Sequence, residues 1–268
     1  MTLTVASLHV YPIKSLGGFS VGEALTTERG LEHDRRWMLV DGNRRFLTQR
    51  EIPAMACLHC TPIGSGFRIT DVRNGASFDL PWTIATGSQR QALVWGDQVD
   101  VLDAPNDASA WLKDRLDTNC TLVFMPDDSR RPVDPNYATG ITSLSDGYPY
   151  LILSQASLDD LNGRLAVPVP MERFRPNIVV AGGTAFQEDA WKTISIGDVR
   201  FAVVKTCARC VIPNTDQRTG ARGVDPLRTL AGYRKRVTSE GAVRVEFGMN
   251  AMVLGDGMIK TGHPVSLR

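Results

Sequence analysis

Residues 193–210, TISIGDVRFAVVKTCARC, read as two strands joined at the turn pair Gly197-Asp198, the second ending in a Cys-x-x-Cys pair. So short a turn leaves no length for a crossover, and the two strands are antiparallel. The pattern repeats outward. Gly96-Asp97 separates LVW from QVDVL, and Gly255-Asp256-Gly257 before MIKTGHPV is a further hairpin signal. Alternating or β-branched runs recur at LTVASLHVYPI, RRWMLV, FRIT, TLVFM, YLIL, NIVVA, AVRVEF and MVL. The chain is therefore mainly β with a few helices, an α+β protein whose short connections imply barrels or curled sheets.

The helices carry start signals. Asn106 or Ser109 can cap ASAWLKDRL, where Ala110, Trp111, Leu112 and Leu116 form an apolar stripe. Ser157-Leu-Asp-Asp160 resembles a capping box opening LDDLNGRLA, and Asp225-Pro226 sets proline at the first position of PLRTLAGYRK. The polar stretch 126–145 interrupts the hydrophobic pattern, as a functional loop or a domain link does. A boundary near 120–125 divides the chain into 1–120 and 121–268.

The 268 residues hold 30 Lys+Arg against 29 Asp+Glu, a net charge of +1. Without a basic run there is no general attraction to phosphate backbones, and no nucleic-acid partner is expected. No apolar run approaches the roughly 18 residues of a membrane span, and residues 1–20 lack the basic start and apolar core of a signal peptide. The reading is a soluble, cytoplasmic protein with no membrane partner. Five cysteines, at 57, 60, 120, 207 and 210, are too scattered for a disulfide framework and are expected as reduced thiols.

Two Cys-x-x-Cys pairs, Cys57-Cys60 and Cys207-Cys210, invite a four-thiolate zinc site, but about 150 residues separate them, far beyond zinc-ribbon spacing. Cys57 and Cys60 lie in AMACLHCTPI, read as a strand, where a separation of three turns the sulfurs to opposite faces; they read as buried small hydrophobes. Cys207 and Cys210 instead end a strand beside Lys205 and Arg209 and precede the loop VIPNTDQRTG. That electropositive setting favours thiolate and metal ligation, which makes one of these two the best reactive residue. A thioredoxin-like redox pair needs a helix directly after it, and none follows.

Cations form a second constellation: Lys14-Ser15 after SLHVYPI, Arg35-Arg36 in EHDRRWML, and Arg175 with Asn177 in ERFRPNIVV. Such turn-borne donors suit a phosphate. The sequence has no GxxxxGK, GxSxG or HExxH motif and no GxGxxG after a strand. His9, His33, His59 and His263 have no ligand spacing and read as structural or surface residues.

Taken in order, VYPIKSLGG, HDRRWMLVD, LTQRE, YLILSQASLDDLN, ERFRPNIVV, EDAWKTISIGDV, KTCARC, TDQRTG and PLRTLAGYR resemble the MOSC-domain family, most closely its YcbX-like proteins and mitochondrial amidoxime-reducing components. The resemblance runs from about Val5 to Arg268. It implies an N-terminal MOSC β-barrel domain followed by the MOSC domain proper, and a molybdenum cofactor whose pyranopterin carries a terminal phosphate. By that resemblance Cys210 is the protein thiolate on molybdenum. Lys14, Ser15, Arg35, Arg175 and Asn177 fall where the family binds the pterin and phosphate, and Ala208 and Arg209 contribute through the cysteine loop. Three places depart from the mitochondrial pattern: a Thr-Ser pair before the proline is Gly147-Tyr148 here, a threonine pair after the cysteine is Pro213-Asn214, and a tyrosine after the FG pair is Asn250.

The resemblance implies an oxidoreductase that removes oxygen from N-hydroxylated small molecules such as hydroxylamines, amidoximes or N-hydroxylated bases. Its electrons are expected from an external flavoprotein reductase or ferredoxin. Two rivals stand beside it: a sulfur- or cofactor-carrier module working through Cys210, and a zinc-stabilised binding protein using both cysteine pairs.

Overall fold

The computed structural model describes residues 2–238 and 241–268, in which strand dominates and the α-helices are α1 (Asn106–Leu116), α2 (Gln155–Asn162) and α3 (Leu227–Ala231). Mainly β is the observed class. The largest sheet among the described residues has nine strands. Across it run Val265–Leu267, Thr193–Ile196, Val199–Ala208, Val243–Val253, Tyr150–Ser154, Ile178–Ala181, Thr4–Val10 and Phe19–Val21, with Lys235–Val237 on Val243–Val253 off that path. The Gly197-Asp198 hairpin forms as read, pairing Ile196 with Val199. Val199, Phe201 and Val203 point inward while Arg200 is exposed, the period-two pattern of a half-buried strand. These side chains join Leu8, Tyr150, Ile152, Ile178 and Ile194 in one core.

A four-stranded sheet holds Trp37–Val40, Thr121–Phe124, Asp97–Asp103 and Gln89–Val94, and the expected hairpin at Gly96 pairs Val94 with Asp97. It shares a core of Trp37, Phe67, Leu112 and Leu122 with α1 and with the sheet Leu58–Ile63, Gly66–Asp71 and Ser77–Pro81. Strand pairing crosses the 120/121 division. Thr4–Val10 sits between Phe19–Val21 and Ile178–Ala181, and Glu23–Thr27 pairs with Gly257–Lys260.

That last ladder corrects the hairpin expected at residues 255–257. The chain does not fold back on Val243–Val253; it buries Ile259 opposite Ala24, and the Thr26 hydroxyl both donates to Gly257 O and accepts from Gly257 N. Other local expectations change too. AMACLHCTPI is not one strand: Pro53–Cys57 is a 3-10 turn with proline at its start, and the strand begins at Leu58. Neither Asn106 nor Ser109 caps α1, which follows Pro105, and Ser109 Oγ accepts from Leu122 N instead. Ser154 caps α2 by accepting from Ser157 N, while Ser157 donates to buried Glu188 at 2.7 Å. α3 ends at Ala231, because residues 235–237 pair with residues 243–245. Tyr150–Ser154 and Ile178–Ala181 run parallel across an α2 crossover, an exception to the antiparallel expectation. No helix among the described residues is long and apolar enough to cross a membrane.

Candidate functional site

One cleft of ≈ 790 Å³ is lined by Lys14, Ser15, Arg35, Arg175, Asn177, Ala208, Arg209 and Cys210, whereas Arg36 of the cationic constellation lies outside it, donating to Met125 O and Asp127 Oδ1. The Val199–Ala208 strand delivers the cysteine loop. Its ladder with Val243–Val253 is irregular between Val203 and Lys205 and again between Thr206 and Ala208, which re-aims the chain just before the loop. Cys207 lies in the strand and Cys210 beyond its end; both are half-buried and both line the cleft. Burial pushes the Cys207 thiol up, against the pull of Arg209. Cys57 and Cys60 are fully buried, and burial pushes Cys60 up to about 12, consistent with inert core thiols. Among the described residues no three His, Cys, Asp or Glu side chains gather as a metal-binding group, which leaves the zinc reading without a ligand set. His33 stacks on Trp82 at 4.2 Å and His59 Nε2 bonds Gln217 O at 2.7 Å, structural roles as expected.

Strain concentrates here. Ser15, Arg35 and Arg175 adopt left-handed backbone with φ of 67, 48 and 56°. For residues carrying a Cβ this costs about 1–3 kcal/mol each and persists only where the surroundings over-determine it. Buried Tyr11 is the platform, with the Arg35 and Arg175 guanidinium groups 4.5 and 4.3 Å from its ring centroid. Arg35 donates to Asp34 Oδ2 (2.5 Å), Asn177 Oδ1 (2.9 Å) and Arg175 O (3.1 Å). Asn177 also donates to His9 O and accepts from Leu151 N, so a single amide ties Arg35 to two strands of the large sheet. Arg175 donates to Leu16 O at 2.5 Å, and burial followed by the like charge of Arg35 lowers it to about 10.

Buried Lys14, also lining the cleft, donates to Leu144 O (2.9 Å) and Asp146 Oδ1 (2.6 Å). Burial lowers Lys14 to about 8, against the pull of Asp146. Asp146 Oδ2 accepts from Arg50 at 2.8 Å. Desolvation of this carboxyl, more than half open to solvent, is outweighed by Lys14 and Arg50, which hold it far below the usual carboxylate range. Burial opposes the Arg50 charge, yet Asp146 raises it, and Arg50 lines the same cleft as Cys210.

Six cations line the cleft, Lys14, Arg35, Arg50, Arg173, Arg175 and Arg209, against three paired carboxylates, Asp34, Asp146 and Asp216. The excess is positive. Arg50 Nη1, Arg175 Nη2 and Arg209 Nη2 are buried with no hydrogen-bond partner among the described residues. Buried charged donors left unpaired are costly, so the cleft is suited to an anion that brings the acceptors.

Arg50, Asp146, Tyr148, Arg173 and Tyr11 belong to the site or its floor and were not marked by spacing or charge in the sequence. Arg50 lies in LTQRE and Tyr11 in VYPIKSLGG, segments that carry the resemblance; that was the available signal. At the departures, Gly147, Tyr148, Pro213 and Asn250 line the cleft. Asn214 does not: it accepts from Leu227 N and donates to Val224 O, holding the approach to α3.

Residues 2–119 match the MOSC N-terminal beta barrel domain and residues 140–266 the MOSC domain. Mitochondrial amidoxime-reducing component 1 of Mus musculus is 34% identical over 279 residues, covering 98% of this chain and 82% of the mouse protein. The protein of the same name from Homo sapiens is 31% identical over 278 residues, with the same coverage. The molybdenum cofactor sulfurase of Solanum lycopersicum is 31% identical over 257 residues, 86% of this chain and 31% of the sulfurase. With both domains matched and similarity running nearly end to end, the chain belongs to the MOSC-domain family.

Proposed function

We propose that the chain is a molybdenum-cofactor-dependent oxidoreductase that reduces N-hydroxylated small molecules. The observation that carries this reading is the meeting of Cys210 in one cleft with three buried guanidinium donors that lack partners among the described residues. Similarity to amidoxime-reducing components supports the substrate class.

The donor set fits the group. A thiolate suits a soft metal, and one protein ligand suffices where a dithiolene brings the others. Excess positive charge with unpaired guanidinium donors suits a terminal phosphate. When bound, the cofactor supplies a metal that takes up oxygen and exchanges two electrons. Cys210 would be the protein ligand. Arg175, Arg209 and Arg50 would give their free donors to anionic oxygens, while Lys14, Ser15, Arg35, Asn177 and Ala208 shape the cradle. Tyr11 holds two of those guanidinium groups in register, so their geometry is set before anything binds. The overall change, R–NHOH + 2 e⁻ + 2 H⁺ → R–NH₂ + H₂O, draws its electrons from a separate flavoprotein reductase or ferredoxin.

Elemental analysis and an amidoxime assay on protein from a cofactor-producing host test the reading together. Stoichiometric molybdenum with N-reduction upholds it; zinc, or molybdenum without N-reduction, refutes it. Similarity to the tomato sulfurase favours a second reading, in which Cys210 carries sulfur as a persulfide. Sulfane sulfur on Cys210 with no N-reduction selects that one.

A further inference from the structure

An outer groove of ≈ 1780 Å³ adjoins the cofactor cleft and shares Arg50, Asp146, Tyr148, Arg209 and Cys210 with it. These common residues form a neck between the two spaces. Farther out, the groove is walled by Trp95 and Val243, which are 50% and 57% exposed. Exposed large apolar side chains facing one groove are a binding feature rather than a folding one.

Trp95 is placed there at some cost. The turn between Gln89–Val94 and Asp97–Asp103 has two residues, Trp95 and Gly96, and Trp95 takes the positive φ of 58°. Glycine adopts that conformation without strain, yet the glycine of this pair sits one place later. The indole is also held in place. The Arg50 guanidinium lies 4.8 Å from its centroid and the Phe46 ring 4.9 Å, and Arg50 is itself anchored on Asp146. A strained backbone, a half-exposed ring, a guanidinium over it and a tilted phenyl ring beside it describe a preformed aromatic platform in the groove that Cys210 also lines.

Resting on the reductase reading above, we infer that Trp95 is a specificity-determining residue of the outer groove, stacking the planar aromatic body of an N-hydroxylated substrate whose N–O group enters the neck between Arg50 and Cys210. Arg50, Arg131, Lys205, Arg209 and Arg244 outnumber Asp97, Asp134 and Asp146 along the groove, so a neutral aromatic body is preferred to a cationic one.

Benzamidoxime and acetamidoxime carry the same reactive group and differ in the ring. Their affinities for the cofactor-loaded protein are measured by calorimetry without reductant, and their kcat/KM values with a reduced viologen, in wild type, Trp95→Ala and Trp95→Phe. Loss of the stacking face in Trp95→Ala weakens benzamidoxime binding by about twofold to tenfold. The benzamidoxime-to-acetamidoxime ratio of kcat/KM falls by a similar factor, and Trp95→Phe retains most of both. Equal weakening of the two ligands, an unchanged ratio, or loss of pterin from Trp95→Ala overturns the assignment, the last by making Trp95 a prop for Arg50. Ring-selective loss of binding with no turnover even in wild type upholds the groove assignment and refutes the reductase reading.

Discussion

Replacing Arg175 with methionine removes a charge that the cofactor-free fold holds at a cost and that the proposed cofactor needs. Burial and Arg35 lower Arg175 from 12.5 to about 10, equivalent to about 3 kcal/mol against the charged form. Lost with the charge are the bond to Leu16 O, about 1.5–3 kcal/mol, and the stack on Tyr11, about 0.5–2 kcal/mol. The opposing effects nearly cancel, and the cofactor-free protein changes between a gain of about 1 and a loss of about 2 kcal/mol, a few degrees of Tm. Cofactor binding has no such compensation. Losing charge-assisted donors to a phosphate costs about 1.5–3 kcal/mol, or roughly tenfold to a hundredfold in affinity. Pterin is measured as its fluorescent oxidation product, molybdenum by mass spectrometry, and Tm by calorimetry on protein from a host that cannot make the cofactor. Wild-type pterin content in Arg175→Met removes Arg175 from the phosphate site. A Tm loss above about 10 °C in the cofactor-free protein refutes the compensation.

Cys210→Ser is expected to abolish molybdenum-dependent reduction while Cys207→Ser keeps much of it; equal loss in both points instead to a redox pair. For Lys14, burial lowers the folded value from 10.5 to about 8, so between those pH values the unfolded chain binds more protons and this group makes stability rise with pH. The stability of wild type minus that of Lys14→Met, from urea titrations, therefore rises from pH 8 to 10.5, while Cys60 and Cys120, pushed up to about 12 and about 11 and acting in the opposite direction, cancel in the difference. A flat difference refutes a buried ammonium at Lys14. Finally, NADH alone is expected to drive no turnover, because nothing in the sequence matches a glycine-rich dinucleotide turn, whereas a reduced viologen supports it; NADH oxidation by the purified chain, with contaminating reductases excluded, counts against an external donor.

How far the sequence reveals this protein depends on whether a signal is local. Two of the three turn pairs gave hairpins because two residues between alternating strands leave no other partner. The third failed because the partner of Gly257–Lys260 is about 230 residues away, and nothing at residues 255–257 encodes Thr26. Helix caps failed for a related reason: Ser109 and Ser157 are both good caps in isolation, but Leu122 N and Glu188 claim their hydroxyls in the fold. The residues that line the cleft were legible through motif order rather than spacing. Lys14 and Asp146 are 132 positions apart, and Arg35 and Asn177 are 142 apart. Arg50 escaped because an arginine in a polar turn is ordinarily a solvated charge; only the folded chain pairs it with Asp146 and brings it to the cleft that Cys210 lines.

Strain, charge and unmet hydrogen bonding coincide at the same few residues, and each points to the cleft being organised before its ligand arrives. Arg35 and Arg175 both stack on the Tyr11 ring, which keeps two like charges close at a cost that solvent would relieve if the side chains were free to leave. They are not free: Asp34, Asn177 and Leu16 O hold their heads, and the left-handed backbone donates from Arg35 N to Tyr11 O and from Arg175 N to Glu172 O. An anion entering this cradle gains donors without ordering them, so its affinity is not reduced by the rotamer entropy that flexible arginines would lose. The fold thus bears the cost of order at Ser15, Arg35 and Arg175, and the large sheet that anchors Asn177 and the cysteine loop supplies the packing that makes this affordable.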